Sequence, residues 1–134
     1  MFDWAGYLTL ARELVEPGEA QNTASETKLR CAVSRAYYAA FGRATAYVSQ
    51  LVGPDEVPDD WTVHQFVVDW FRGYPDRRLK KIGRRLDDLR LYRNDADYHA
   101  NVSGWRNKAE ASIAWASSSI DELQQLPGAP PEPA

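Results

Sequence analysis

Between Leu89 and His99 the chain reads Leu89-Arg90-Leu91-Tyr92-Arg93-Asn94-Asp95-Ala96-Asp97-Tyr98-His99, an arginine followed by an amide, with a histidine six residues after the arginine. These residue types suit phosphodiester chemistry. An imidazole that titrates near neutrality can move a proton to or from a ribose 2′-hydroxyl or a 5′ leaving oxygen, and a guanidinium can stabilise the extra charge of a pentacovalent phosphorane. Such a reaction requires no metal and no cofactor. Asp95 stands four residues before His99, the spacing at which a helical carboxylate can reach and orient an imidazole. On a straight helix, six residues leave Arg93 and His99 well apart around the axis. Their convergence therefore requires the helix to end near Tyr98 with His99 folding back, or a second subunit.

Other chemistries lack their residues. His64, His99 and Cys31 are the only histidines and cysteine, and they do not have the spacing of a closed zinc site. No glycine-rich phosphate loop is present, and Ser34 has no nucleophile-elbow glycines around it. His64, just after Trp61 and Thr62, reads as a packed or capping residue.

Five helical stretches would position these groups, separated by turn signals at Pro17-Gly18, Gly53 to Pro58, Gly73-Tyr74-Pro75 and Asn101 to Gly104. The first, about 3–15, carries Trp4, Tyr7, Leu8, Ala11, Leu14 and Val15 at steps of three and four. The second, about 24–51, has Ser25 as N-cap and a stripe of Leu29, Val33, Ala36, Ala40, Ala44, Tyr47 and Leu51 whose small members permit close helix approach. A third runs from Trp61 or Thr62 to Arg72, with Val63, Phe66, Val67 and Trp70 as its expected buried face. In the fourth, about 76–98, Leu79, Ile82, Leu86 and Leu89 form a bundle seam whose next two positions are Arg93 and Ala96. A guanidinium thus stands where the pattern asks for an apolar side chain, and burying it unpaired would cost several kcal/mol. Either Asp97 neutralises it as an i,i+4 pair, or the seam opens here into a pocket or subunit interface. The fifth stretch, about 104–126, shows Trp105, Ala109, Ser112, Ile113, Ala116, Ile120 and Leu123.

No segment alternates as a strand does, so the predicted fold is all-α, an up-and-down antiparallel bundle of four to five helices. It forms a single domain over 1–126, followed by a disordered proline-rich tail, 127–134. The acidic loop 53–60 is expected to be mobile. A length of 134 residues with 44% hydrophobic and 12% aromatic composition is enough for one core, and a single cysteine excludes an intramolecular disulfide. No apolar run is long enough to span a bilayer and no signal peptide is recognisable, so a cytoplasmic location is expected. The net charge of −3 hides an asymmetry: Arg72 to Arg93 holds nine basic and three acidic residues, a balance of +6 that leaves −9 for the rest. That local positive surface is compatible with a phosphate-bearing partner.

The segment Ser34-Arg35-Ala36-Tyr37-Tyr38-Ala39-Ala40-Phe41, taken with Leu89 to Tyr98, resembles the prokaryotic HEPN superfamily, in particular its small stand-alone proteins. The resemblance covers roughly residues 4–125. It implies a helical bundle, usually a homodimer, in which an arginine, a following polar residue and a histidine form a metal-independent ribonuclease site. Arg93, Asn94 and His99 fill those positions. Many members act as toxins or defence ribonucleases, often beside a nucleotidyltransferase antitoxin. Some family toxins place a tyrosine for nucleotidyl modification two residues after the histidine; here that position is Asn101, so control by that route is not expected.

On this reading RNA is the substrate, and Arg35, Arg84, Arg85 and Arg90 guide its backbone. Tyr38, Asp95, Asp97 and Tyr98 support the site, with Ser34 and Tyr38 meeting a carboxylate such as Asp97. The alternatives are a non-catalytic module that binds a nucleotidyltransferase antitoxin or defence complex, and a nucleotide-binding module using Arg93 for phosphate and Tyr98 for base stacking.

Overall fold

A computed structural model describes residues 2–16 and 25–128. Its elements are α1 (Ala5–Val15), α2 (Glu26–Val52), a short 3-10 turn (Pro54–Glu56), α3 (Val63–Arg72), α4 (Arg77–Tyr98) and α5 (Trp105–Gln125). The described residues contain no strand, and the fold is an all-α bundle of five helices. The ends follow local chemistry. Ser25 Oγ accepts from the Lys28 amide at the start of α2, and Asp76 Oδ1 accepts from the Arg78 amide at the start of α4. Gly53 closes α2 at φ 97°, a left-handed conformation that suits glycine. The expected mobile loop 53–60 contains the 3-10 turn and an Asp60 carboxylate that accepts from the Thr62 amide ahead of α3. Of the proline-rich tail, residues 129–134 lie outside the described residues, while the Pro127 carbonyl accepts from the Tyr47 hydroxyl.

Helix α2 is the axis of the bundle and touches every other helix. Its buried alanines, Ala32, Ala36, Ala39, Ala40 and Ala44, let those neighbours approach closely. Gly42 is the extreme case, because the Trp4 ring occupies the space a Cβ would need. At Gly83 of α4 the Arg72 side chain approaches in the same way, and α3 and α4, joined by a short connection, pack on each other. The seam of α4 is buried through Leu79, Ile82, Leu86 and Leu89, as its spacing implies. No helix among the described residues is long and apolar enough to cross a membrane.

The buried face of α3 differs from the expected one. Val67 is buried, but the other fully buried positions are His64, Val68 and Phe71, whereas Val63, Phe66 and Trp70 only flank the core. The reason is that α3 presses an imidazole inward. His64 is 4% exposed, and both ring nitrogens are used, Nδ1 at 2.7 Å from Tyr37 Oη and Nε2 at 3.0 Å from Asp87 Oδ1. A carboxylate can only accept, so Nε2 carries the proton and Nδ1 accepts from the Tyr37 hydroxyl. Asp87 Oδ2 in turn meets Arg72 at 3.4 Å, which links α2, α3 and α4 through one polar chain.

Burial holds the His64 pKa below its ordinary value, outweighing the Asp87 hydrogen bond, while Arg90 and Arg93 push in the same direction as burial. Above the unfolded value of about 6.5 both states are neutral at this ring and it adds no pH dependence. Below it the unfolded chain takes up a proton that the native ring resists, so stability falls as pH drops from about 6.5 toward the lower native value. In urea titrations at pH 7.5 and 5.5, His64→Gln, which cannot protonate, is expected to lose less of its own stability between the two pH values than wild type does. Parallel losses would show that His64 is not the acid-sensitive group.

Candidate functional site

The seam of α4 carries Arg93 inward, and its side chain is 17% exposed. One terminal nitrogen donates to Tyr38 Oη at 2.7 Å and the other to Asn94 Oδ1 at 2.7 Å. Nε faces Asp97 Oδ2 at 3.6 Å, an ion pair too long for a hydrogen bond, and it has no hydrogen-bond partner among the described residues. The guanidinium also lies over the rings of Tyr37 and Tyr38, each at 5.3 Å, and of Tyr98 at 5.9 Å. Burial works against the charge, yet the Tyr38 hydrogen bond and the surrounding phenol oxygens raise the Arg93 pKa above its already high value. Arg93 is therefore a fixed cation. Asp97 answers it only in part, and the remaining contacts are neutral.

Helix α2 supplies the opposite wall. Ser34 Oγ donates to Asp97 Oδ2 at 3.4 Å, and the Arg35 guanidinium donates to Ser34 Oγ at 3.3 Å. Arg35 lies over Tyr7 at 4.8 Å and Tyr38 at 5.2 Å and makes no ion pair among the described residues. The Tyr38 ring is thus flanked by two guanidinium groups, from Arg35 and Arg93. Ser34 meets the Asp97 carboxylate as expected, whereas the Tyr38 hydroxyl accepts from Arg93 and meets no carboxylate among the described residues.

His99 belongs to a second cluster. It is the residue that ends α4, in extended backbone at φ −119° and ψ 106°. Its Nδ1 lies 2.8 Å from Asp95 Oδ1, so the carboxylate orients the ring as the i,i+4 spacing anticipates. Since the carboxylate accepts, Nδ1–H donates, and in the neutral ring the lone pair lies on Nε2. The ring is 58% exposed. Six residues of helix separate it from Arg93 by about 9 Å along the axis and about a third of a turn around it. Within one chain Arg93 turns in toward α2 while His99 turns out. The arrangement brings together Arg35, Tyr38, Arg93, Asn94, Asp97 and Tyr98, and it holds Asp95 and His99 apart from them.

The remaining arginines do not form one track. Arg90 faces the α3 side, where it lines a shallow cleft with Trp61 and Phe66. Arg85 pairs with Asp88 at 3.2 Å and lies over Trp115 of α5 at 4.9 Å. Arg84 is exposed on the outer face of α4. Among the described residues no cluster of three His, Cys, Asp or Glu side chains is placed to hold a metal ion.

One important residue was not evident from the sequence. Arg30, one turn before Ser34 on α2, donates to the carbonyls of Asp95, Ala96, His99 and Ala100 at 2.9–3.2 Å, and it lies over Trp105 at 4.4 Å. The last carbonyls of a helix lack partners within it, and α4 has no basic residue in its own last turn. Arg30 supplies the missing donors and so fixes the backbone from which His99 projects. The only sequence signal was its i,i+4 pairing with Glu26, which says nothing about the carbonyls.

If Arg93 is kept for its charge rather than for packing, restoring the seam should cost little, because leucine fills the slot with apolar surface and the carboxylate left behind, Asp97, is exposed enough to be rehydrated. Arg93→Leu is expected to unfold within about 1 kcal/mol of wild type, or above it, in chemical denaturation. A loss beyond about 3 kcal/mol would identify Arg93 as a structural keystone instead. No protein-family model matches the chain, and no match was found among curated proteins or solved structures.

Proposed function

We propose that this protein is a metal-independent RNA endonuclease of the HEPN type, active as a pair of chains. The observation that carries the reading is the exposed His99 imidazole, fixed through Nδ1 by Asp95 with Nε2 open, at the end of the helix that bears the Arg93 guanidinium. In this mechanism Nε2 removes the proton of a ribose 2′-hydroxyl, and the 2′-oxygen attacks the adjacent phosphorus. The guanidinium stabilises the phosphorane, and the imidazolium returns its proton to the departing 5′-oxygen. The products are a 2′,3′-cyclic phosphate and a 5′-hydroxyl. Asn94 holds the guanidinium, and Arg35 adds a second positive group toward the RNA backbone. The cellular role that fits such an activity is that of a toxin or defence ribonuclease.

A second copy is proposed because the two groups diverge on one α4. The outer face of that helix supports it: Arg77, Lys81 and Arg84 occupy its first half, and Asp88 and Asp95 the second, with Leu91 (62% exposed) and Tyr98 (71% exposed) between and beyond them. Antiparallel pairing of two such helices with Leu91 near the two-fold axis covers both Leu91 side chains and sets Arg84 against the partner's Tyr98. A second reading, a non-catalytic module that binds a nucleotidyltransferase antitoxin or defence complex, is favoured by a different observation. The terminal donors of Arg93 in one chain are already met by Tyr38 and Asn94.

In buffer containing EDTA, wild type is expected to cleave RNA to cyclic-phosphate ends, and His99→Ala or Arg93→Ala to reduce the rate at least about a hundredfold. Cleavage unaffected by both substitutions would defeat the enzyme. No cleavage of any RNA, together with co-purification of a tight protein partner, would establish the module. Separately, Leu91→Arg is expected to convert a dimer to a folded monomer in sedimentation and to abolish cleavage; a dimer that persists would place the interface elsewhere.

A further inference from the structure

Tyr38 has two surroundings. Its hydroxyl accepts from Arg93, while its ring forms one wall of an open groove of about 430 Å³ that runs between α2, the N-terminal segment and the 3-10 turn. Trp4, Phe41, Gly42, Pro54 and Val57 are among its other walls, with Thr45 and Ser49 as its hydroxyl groups. The groove exists because Gly42 has no Cβ, so that Trp4 can lie against the α2 backbone. An apolar groove one tyrosine ring away from two guanidinium groups has the shape of a nucleotide: a flat, weakly polar base at one end and a phosphate at the other.

We propose that this groove is a nucleobase subsite for single-stranded RNA, with the base between Trp4, Tyr38 and Phe41 and its phosphate toward Arg35 and Arg93. The inference rests on the RNA-cleavage reading and adds to it the requirement for an unpaired base. Charge sets the polarity. Exposed Asp55 and Glu56, on the turn that closes the groove, repel a phosphate and suit the exocyclic amines of a base, whereas Arg35 is not ion-paired among the described residues. Aromatic walls accept any base by stacking, so the subsite confers strand selectivity more than sequence selectivity. A duplex, whose bases are stacked on each other, cannot supply one.

The test uses the intact chain and two uncleavable probes, a 2′-O-methyl tetranucleotide and the same backbone without bases. Abasic affinity reports the phosphate contacts; the difference between the probes reports the groove. Wild type is expected to bind the base-bearing probe about tenfold more tightly. Val57→Trp fills the groove from extended backbone just beyond the turn, and Val57 is not among the side chains packed on the core. It is expected to remove that preference while leaving abasic affinity unchanged, with Val57→Phe doing so in part.

Equal wild-type affinity for both probes would overturn the base subsite and leave the cleavage reading standing. Binding of neither probe would overturn both. A preference that survives Val57→Trp and Val57→Phe would place the base elsewhere, and a change of oligomeric state in either variant would assign the groove to a second copy.

Discussion

A guanidinium inside an apolar seam constrains everything around it. The leucine and isoleucine steps of α4 commit that face of the helix to the bundle interior, and Arg93 follows in the same register. A charge at that depth needs polar company, and the company must come from whichever helix lies opposite. Here that helix is α2, which contributes Tyr37 and Tyr38 in a stretch whose buried positions are mostly alanine. The alanines bring the two backbones close, and the two tyrosines reach across the gap they leave. Close packing and the polar cluster are therefore one design: with larger residues in place of the alanines, α2 would stand off and the Tyr38 hydroxyl would not meet the guanidinium at 2.7 Å.

One side of α2 sets the geometry of the whole C-terminal half of α4. Arg30 holds the carbonyls around His99, Ser34 meets Asp97, Tyr37 passes a hydrogen bond to His64, and Tyr38 holds Arg93. Positions 30, 34, 37 and 38 follow the three-and-four step of a helix face. The His64–Asp87 link then ties the same cluster to α3. Disturbance of α3 is thereby felt at Tyr37, whose ring stacks beneath the Arg93 guanidinium.

Much of this was readable in advance. Helix limits came out within two residues at α2, where Ser25 was readable as the N-cap, and at α4. The interruption of the α4 seam at Arg93 follows from the three-and-four step, and the Asp97 pair, one of two outcomes that interruption allowed, and the Asp95–His99 contact follow from i,i+4 spacing, which a sequence displays directly. Other features were not legible because they depend on long-range placement. The inward rotation of α3 turns on a histidine that becomes acceptable in the core only once Tyr37 and Asp87 arrive from two other helices. Arg30 acts on backbone carbonyls, which carry no residue identity at all. The basic run from Arg72 to Arg93 looked like one surface, but helical geometry sends Arg84, Arg85 and Arg90 to different sides.

The way Arg93 is held separates it from the ordinary surface arginines of this chain. Arg78 and Arg85 donate directly to carboxylates at 3.1 and 3.2 Å, so their charge is largely answered within the protein. Arg93 gives its two terminal nitrogens to a phenol and an amide, neutral acceptors that fix direction without cancelling charge, and its carboxylate neighbour stands off at 3.6 Å. A hydrogen bond from a cation to an anionic oxygen is roughly twice as strong as one between neutral groups. An incoming phosphate can therefore outcompete Tyr38 or Asn94 for those donors, whereas it would gain little by displacing a tight carboxylate. Neutral partners keep the cation pre-organised and still available, so the engagement of Arg93 within one chain is compatible with a role in charge stabilisation.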